Sequence, residues 1–251
     1  MREVVVGGRT RALSPAVERV VDDALDSRTV SLPTALTRAS AEAVGDGGEP
    51  PGTDAASTAV ASLSGYAHLR RTLLSAPDHE RRAVALLASD YLLASAHAAL
   101  GVAAVPPDRR RELYATLTAG SAELAAALFA VSTDRSERDV DGEPPVAATL
   151  AETGCALGAA VGAASRGTVE AMADYGRSLA TAAARTDGEA ALARIEAAVS
   201  DDHPDIDRGP AEGPIGDHTK RARAALEALP EGEARERLER ATWVVGGRSS
   251  G

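Results

Sequence analysis

Residues 152–186, ETGCALGAAVGAASRGTVEAMADYGRSLATAAART, and residues 86–100, LLASDYLLASAHAAL, decide how this chain is read. In the first stretch Met172, Tyr175, Gly176, Leu179 and Ala183 recur at the three- and four-residue spacing of one helix face. Similar spacing runs through almost the whole chain, and no stretch alternates with the two-residue period of a strand. Ser14-Pro15 is a helix start, an N-cap followed by proline in the first turn, and Val17, Val20, Val21, Ala24 and Leu25 then form one apolar stripe. Further helices are expected at about 32–44, 54–75, 79–101, 107–132, 145–164, 167–187, 189–200, 218–229 and 231–244. The breaks between them carry loop chemistry: GDGGEPPG at 45–52, VDGEPP at 140–145 and DDHPDIDRGPAEGP at 201–214. None of these breaks needs a separate domain and no fixed-period repeat is present, so residues 1–251 are read as one all-α domain.

Composition bounds the setting. A chain of 251 residues can bury a substantial core. Aromatic residues make up only 2%, so that core has to be filled by Leu, Val and Ala, whose helices approach closely. The formal charge is -10, and Lys220 is the one lysine among 27 basic residues. Such acidity is read as halophilic adaptation to a salt-rich cytoplasm, where a Debye length of roughly 3 Å at molar salt lets crowded carboxylates coexist. It also argues against nucleic acid, since no basic stripe is available to follow a phosphate backbone. Cys155, the single cysteine, lies in an Ala/Gly run, which leaves no disulfide framework or thiolate metal site and makes it a small buried hydrophobe. The N-terminal MREVVVGGRTRAL offers only three consecutive valines, far short of a signal peptide. The longest uncharged run, Tyr91 to Pro107, is shorter than a membrane span and ends in two prolines. The chain is therefore expected to be a soluble, cytoplasmic protein without a membrane span.

The two opening segments carry a family resemblance. Residues 86–100 resemble the "aGDYLLARA" helix of the trans-polyprenyl (geranylgeranyl-type) diphosphate synthases, and residues 152–186 are similar to the "cxLGAxxxGAsxexxexxxxYGxxLGxAfQxxDD" stretch of that family. The likeness covers most of the chain, with its strong part confined to those two segments. It implies a single-domain multi-helix bundle of the isoprenoid synthase type around a central cavity. It further implies two aspartate-rich motifs on facing helices, whose magnesium ions bridge to an allylic diphosphate and stabilise the departing charge.

The carboxylates of those motifs are largely missing. The segment matching the helix of the first motif, STAVASLSGYAHLRRTLLSA at 57–76, has no Asp or Glu between Asp54 and Asp78, and Arg70, Arg71 and Thr72 stand where metal ligands are expected. Two arginines repel a magnesium ion. Of the second motif Asp187 is kept while Gly188 and Ala191 replace its partners, and one carboxylate makes a poor magnesium site. Asp22-Asp23-Ala24-Leu25-Asp26 and Asp201-Asp202-His203-Pro204-Asp205 match the motif only as strings and are read as solvated charge. No metal site and no cofactor are therefore expected, with Mg²⁺ needed only if catalysis survives.

Leu63, Tyr66, Ala67, Arg70 and Leu74 fall on one apolar stripe, which aims Arg70 into the bundle, and Asp187 continues the stripe of Met172 and Tyr175 toward the same interior. Three readings stay open: Arg70 or Arg71 pairs with Asp187 across the old metal position, both arginines snorkel outward, or they grip a diphosphate without metal. Asp90 is read as structural support, and His68 and His97 as packed or surface residues. The leading functional expectation is a pseudoenzyme, a non-catalytic subunit or regulator in isoprenoid biosynthesis. Its partner is a catalytic prenyl diphosphate synthase or a second copy of the chain as a homodimer. The alternatives are a divergent active prenyltransferase condensing isopentenyl diphosphate with an allylic diphosphate, and a metal-independent isoprenoid or diphosphate binder.

Overall fold

The computed structural model of the chain describes residues 3–6, 9–26, 28–45, 48–76, 81–133, 146–186, 189–200 and 214–246. A short antiparallel hairpin, β1 (Glu3–Val6) and β2 (Arg9–Ala12), leads into ten helices: α1 (Pro15–Leu25), α2 (Arg28–Val44), α3 (Thr53–Ser75), α4 (Arg82–Gly101), α5 (Pro107–Thr133), α6 (Val146–Val161), α7 (Arg166–Ala184), α8 (Glu189–Val199), α9 (Pro214–Leu226) and α10 (Glu233–Gly246). The hairpin departs from the expectation that no strand is present. Val6 pairs with Arg9, and a β-branched run ahead of Gly7-Gly8 is a hairpin signal too short to register as alternation.

The helices otherwise follow the expected spacing. Ser14 caps α1 by accepting from the Val17 amide at 3.4 Å, Pro15 takes the first turn, and Val17, Val21 and Ala24 are buried. Several boundaries moved by three or four residues, among them two beside the centre of the bundle. Helix α2 begins at Arg28, ahead of the expected 32, so Pro33 lies inside it. Helix α6 ends at Val161, because Ala163 adopts a left-handed backbone (φ 63°) before Ser165 caps α7 by accepting from the Thr168 amide. The expected breaks at 140–145 and 201–214 fall outside the described residues, apart from Pro214.

Helix α6 is the centre of the bundle, buried along its length. Its Ala148, Ala151, Cys155 and Ala159 join one core with α2, α7, α8, α9 and α10, while its Leu150, Leu157, Ala160 and Val161 join a second core with α3, α4 and α5. Glycine makes this possible. A Cβ built on Gly154, Gly158 or Gly162 would meet the backbone carbonyl oxygens of Pro33, Thr37 and Ala41 at 2.8, 2.1 and 2.9 Å. Both rows repeat every four residues, so a ridge of α2 carbonyls lies in the groove left by three missing side chains. On the other side Gly176 of α7 lies against the Ala151 carbonyl of α6, where a Cβ would sit at 2.4 Å. The Tyr175 hydroxyl donates to the Leu238 carbonyl at 2.7 Å, fully buried, and ties α10 to this centre. Met172, Tyr175, Gly176, Leu179 and Ala183 all face inward as their stripe predicts. Cys155 is buried as expected, and burial pushes its thiol up to about 12.

Candidate functional site

A cavity of about 90 Å³ opens where α2, α3, α6 and α8 meet. Its walls are Leu32 and Pro33 of α2, Ser64, Ala67, His68 and Arg71 of α3, Val146, Ala147 and Leu150 of α6, and Leu192, Ala193 and Glu196 of α8. Most of this surface is hydrocarbon. The polar groups come chiefly from one row of α3, because Ser64, His68 and Arg71 at i, i+4 and i+7 share a helix face. Ser64 Oγ and His68 Nδ1 are buried with no hydrogen-bond partner. Burial, and then the neighbouring Arg71 charge, hold the His68 imidazole below its ordinary value. On the facing wall the Glu196 carboxylate accepts from Ser31 Oγ at 2.8 Å.

Arg70 and Arg71 point to different places. The Arg70 guanidinium donates to Asp90 of α4 at 2.6 Å and lies 5.4 Å from the centre of the Tyr66 ring. It therefore sits on the α4 side of α3, away from the cavity, and Asp90, its partner, is well exposed. The expected stripe splits accordingly: Leu63 and Ala67 are buried, Tyr66 and Arg70 half-buried, and Leu74 36% exposed. Arg71, one residue on, is the arginine that reaches the cavity. Asp187 lies outside the described residues, as does the Asp201–Asp205 string. Asp23 on α1 and Asp26 at its C-cap are exposed. His97 is packed, stacked on Tyr114 with ring centres 6.4 Å apart and its Nδ1 3.0 Å from the Leu93 carbonyl.

Among the described residues, the lining of this cavity is a poor match for magnesium. The ion asks for several oxygen ligands in near-octahedral order with one or two carboxylates. Here α3 presents a hydroxyl, a neutral imidazole and a guanidinium, and the carboxylate in the cavity wall is engaged by Ser31. Among the described residues no group of three or more His, Cys, Asp or Glu side chains could hold a metal ion.

The bundle with its central cavity is the all-α isoprenoid synthase fold. The chain superimposes on the geranylgeranyl pyrophosphate synthetase from the archaeon Geoglobus acetivorans with a TM-score of 0.69 at 16% identity, covering 93% of this chain and 92% of that one. It is similar also to the geranyl diphosphate synthase small subunit from Antirrhinum majus, with a TM-score of 0.65 at 19% identity and 88% and 84% covered. A deletion mutant of the mint heterotetrameric geranyl pyrophosphate synthase gives a TM-score of 0.64 at 17% identity, with 92% and 91% covered. No family model and no curated protein matches the sequence. The chain thus has the fold of the trans-polyprenyl diphosphate synthases that its two opening segments resemble.

A second surface is missing from the sequence reading. Helices α4 and α5 are each long and apolar enough to cross a membrane by length and composition, yet only 33% and 28% of their apolar windows are buried. The outward side of α5 carries Ala115, Ala119, Ala122, Ala126 and Phe129, spaced four, three, four and three, with Phe129 69% exposed. Helix α4 adds Ala83, Leu87, Ala94 and Ala98, all exposed, and Val102 follows at its C-terminal end, 83% exposed. The uncharged run from Tyr91 to Pro107 was the trace of this face, read for its length alone.

Proposed function

We propose that the chain is a non-catalytic subunit of a prenyl diphosphate synthase assembly in isoprenoid biosynthesis, with a catalytic synthase of the same fold as its partner. The observation that carries this reading is the row of exposed apolar residues on each of α4 and α5. Small residues repeating every 3.5 positions are the pattern of a seam between two helices, because alanine lets backbones approach and the period keeps the seam facing its partner. Leu87, Val102 and Phe129 are the large exposed apolar side chains on these two helices and at the end of α4, and a few large side chains dominate an interface. Lipid is the poorer occupant. Asp90 stands in the middle of α4, paired with Arg70, and Glu123 stands in the middle of α5, paired with Arg177 at 3.0 Å. Ionised side chains at that depth are expensive in hydrocarbon.

Loss of catalysis is supported by the chemistry of α3, where Ser64, His68 and Arg71 face the cavity and Arg70 is engaged by Asp90. A chain that cannot ionise an allylic diphosphate contributes by binding one that can, which favours a catalytic partner over a second copy. Two proteins of the same fold supply the pattern: the Antirrhinum majus protein is a small subunit, and the mint synthase is heterotetrameric.

The test is sedimentation velocity of this chain mixed with a prenyl diphosphate synthase from the same host. A defined complex is expected, lost in Leu87→Asp and in Phe129→Asp. Phe129 exposes roughly 100–150 Å² of ring, so burying it stabilises an interface by about 3 kcal/mol, more than a hundredfold in affinity. No complex, self-association alone, or partition onto vesicles in place of a complex counts against the proposal.

A further inference from the structure

Aromatic residues are scarce in this chain, and its one tryptophan lies outside the core. Trp243 of α10 is only partly buried, and the guanidinium of Arg223 from α9 lies over its ring, 3.6 Å from the centre. Arg223 Nε donates to Thr242 Oγ1 at 2.8 Å, which fixes that charge beside the indole. A hollow of about 410 Å³ opens here, walled by Glu236, Glu239, Arg240 and Trp243. These four fall at i, i+3, i+4 and i+7 on α10 and so form one stripe. The stripe is polarised in charge. Glu236 and Glu239 are exposed toward its N-terminal end, while Arg240 and the Arg223–Trp243 pair hold its C-terminal end. Helix α9 repeats the order: Arg223 meets Thr242 across the short turn between the two helices, so Glu227, exposed and one turn further along α9, lies toward the Glu236 end.

From this we infer that the α10 stripe, with Arg223 beside it, is an interface between two copies of this chain, their α10 helices antiparallel about a two-fold axis that passes between Glu239 and Arg240. In an isologous contact every pairing occurs twice. With the axis at that point, Glu239 of each copy meets Arg240 of the other, and Glu236 of each meets the other's Arg223–Trp243 end. A parallel arrangement would set Glu236 against Glu236, and like charges across an interface are strongly unfavourable. The stripe is therefore complementary to itself and to no surface of uniform charge, such as a phosphate backbone or an anionic membrane. Tryptophan and arginine are also the side chains in which binding energy concentrates. The contact shares no residue with the α4 and α5 rows, so it does not depend on the partner proposed for them.

The experiment follows Trp243 emission and sedimentation velocity of the full chain from about 1 to 500 μM, the range in which a contact of less than roughly 1,200 Å² forms. Potassium chloride of about 0.5 M gives a Debye length of roughly 4 Å, which screens the repulsion between two chains of charge -10 and leaves pairs in contact. Trp243, as the single tryptophan, reports directly. Its emission is expected to move to shorter wavelength as the sedimenting species passes from one copy to two. Glu239→Arg and Arg240→Glu each turn two attractions into two repulsions, and each alone is expected to weaken self-association at least about tenfold. Mixed in equal amounts the two variants are expected to restore it, because the two reversed charges then face each other. Glu236→Arg, at an exposed position, is expected to weaken it as well, which keeps the test independent of how Arg240→Glu folds. A chain that stays monomeric with unchanged emission overturns the proposal. So does self-association indifferent to Glu239→Arg, a mixture no tighter than its components, or a dimer lost in Leu87→Asp, which places the contact on α4. Binding of the synthase is measured separately, so either proposal can fail without the other.

Discussion

Replacing Gly158 by alanine is a severe test of the packing described for α6. The new Cβ would stand 2.1 Å from the Thr37 carbonyl oxygen, while ordinary contact begins near 3.4 Å. Helices α2 and α6 would have to part by roughly 1.3 Å, and the obstacle is backbone, which cannot rotate aside. A gap of 0.5–1 Å already forfeits about a quarter to a half of each dispersion contact along a seam, and overpacking a core costs about 1–3 kcal/mol by itself. Against this, alanine gains about 1 kcal/mol over glycine in helix propensity. The net expectation is a loss of about 2–4 kcal/mol. For a chain of this length that lowers the melting temperature by about 5–15 °C, at 2–4 °C per kcal/mol. Gly154→Ala and Gly162→Ala, with closest approaches of 2.8 and 2.9 Å, should cost less, and Gly232→Ala, with nothing within 4 Å, should change stability by no more than about 0.5 kcal/mol. Thermal unfolding followed by circular dichroism reads all four. A Gly158→Ala protein as stable as the parent would refute the reasoning.

Other expectations concern charge. A double-mutant cycle of Arg70→Ala and Asp90→Ala should give a coupling below about 1 kcal/mol that shrinks with added salt, because Asp90 is largely exposed. His68 and His218 are both held below their ordinary 6.5, chiefly by burial, so the unfolded chain binds more protons as pH falls through 6.5. Their contribution is fully present above that pH and is lost toward the lowered folded values. Urea midpoints between pH 7.5 and 5 should therefore fall less steeply in His68→Gln than in the parent. Glu152 has the opposite sign, since burial raises it despite Arg177. Stability should decline as pH rises from about 4.5 through its folded value, and Glu152→Gln should flatten that slope. Finally, if the -10 charge reflects a salt-rich setting, the melting temperature should climb steadily between about 0.1 and 2 M potassium chloride.

Most helices were legible because each buries one face, and the stripe of Met172, Tyr175 and Leu179 can point nowhere but inward. The site was less legible for a physical reason. Helix α3 is enclosed on several sides, with Ser62, Leu63, Ser64 and Gly65 consecutively buried, so no single stripe defines its interior. Successive residues turn by about 100° around a helix, and that one step separates Arg70, facing α4, from Arg71, facing the cavity. The row of Ser64, His68 and Arg71 had the right spacing, but the apolar stripe beside it through Leu63 and Ala67 drew the reading. The α4–α5 face was hidden differently: an apolar residue facing a partner and one facing the core look alike in sequence. The expected start at 32 would put Pro33 in the first turn, where proline is favoured, yet α2 begins one and a half turns before Pro33 and turns its carbonyl toward Gly154.

The central claim is that this chain acts through a catalytic partner. The direct measurement is product yield and chain length from a prenyl diphosphate synthase of the same host, titrated with this chain in the presence of magnesium and an allylic diphosphate. The account predicts no product from this chain alone and a change in the partner's output that breaks at a fixed stoichiometric ratio. Product formed by the chain alone, or output indifferent to its addition, would contradict it.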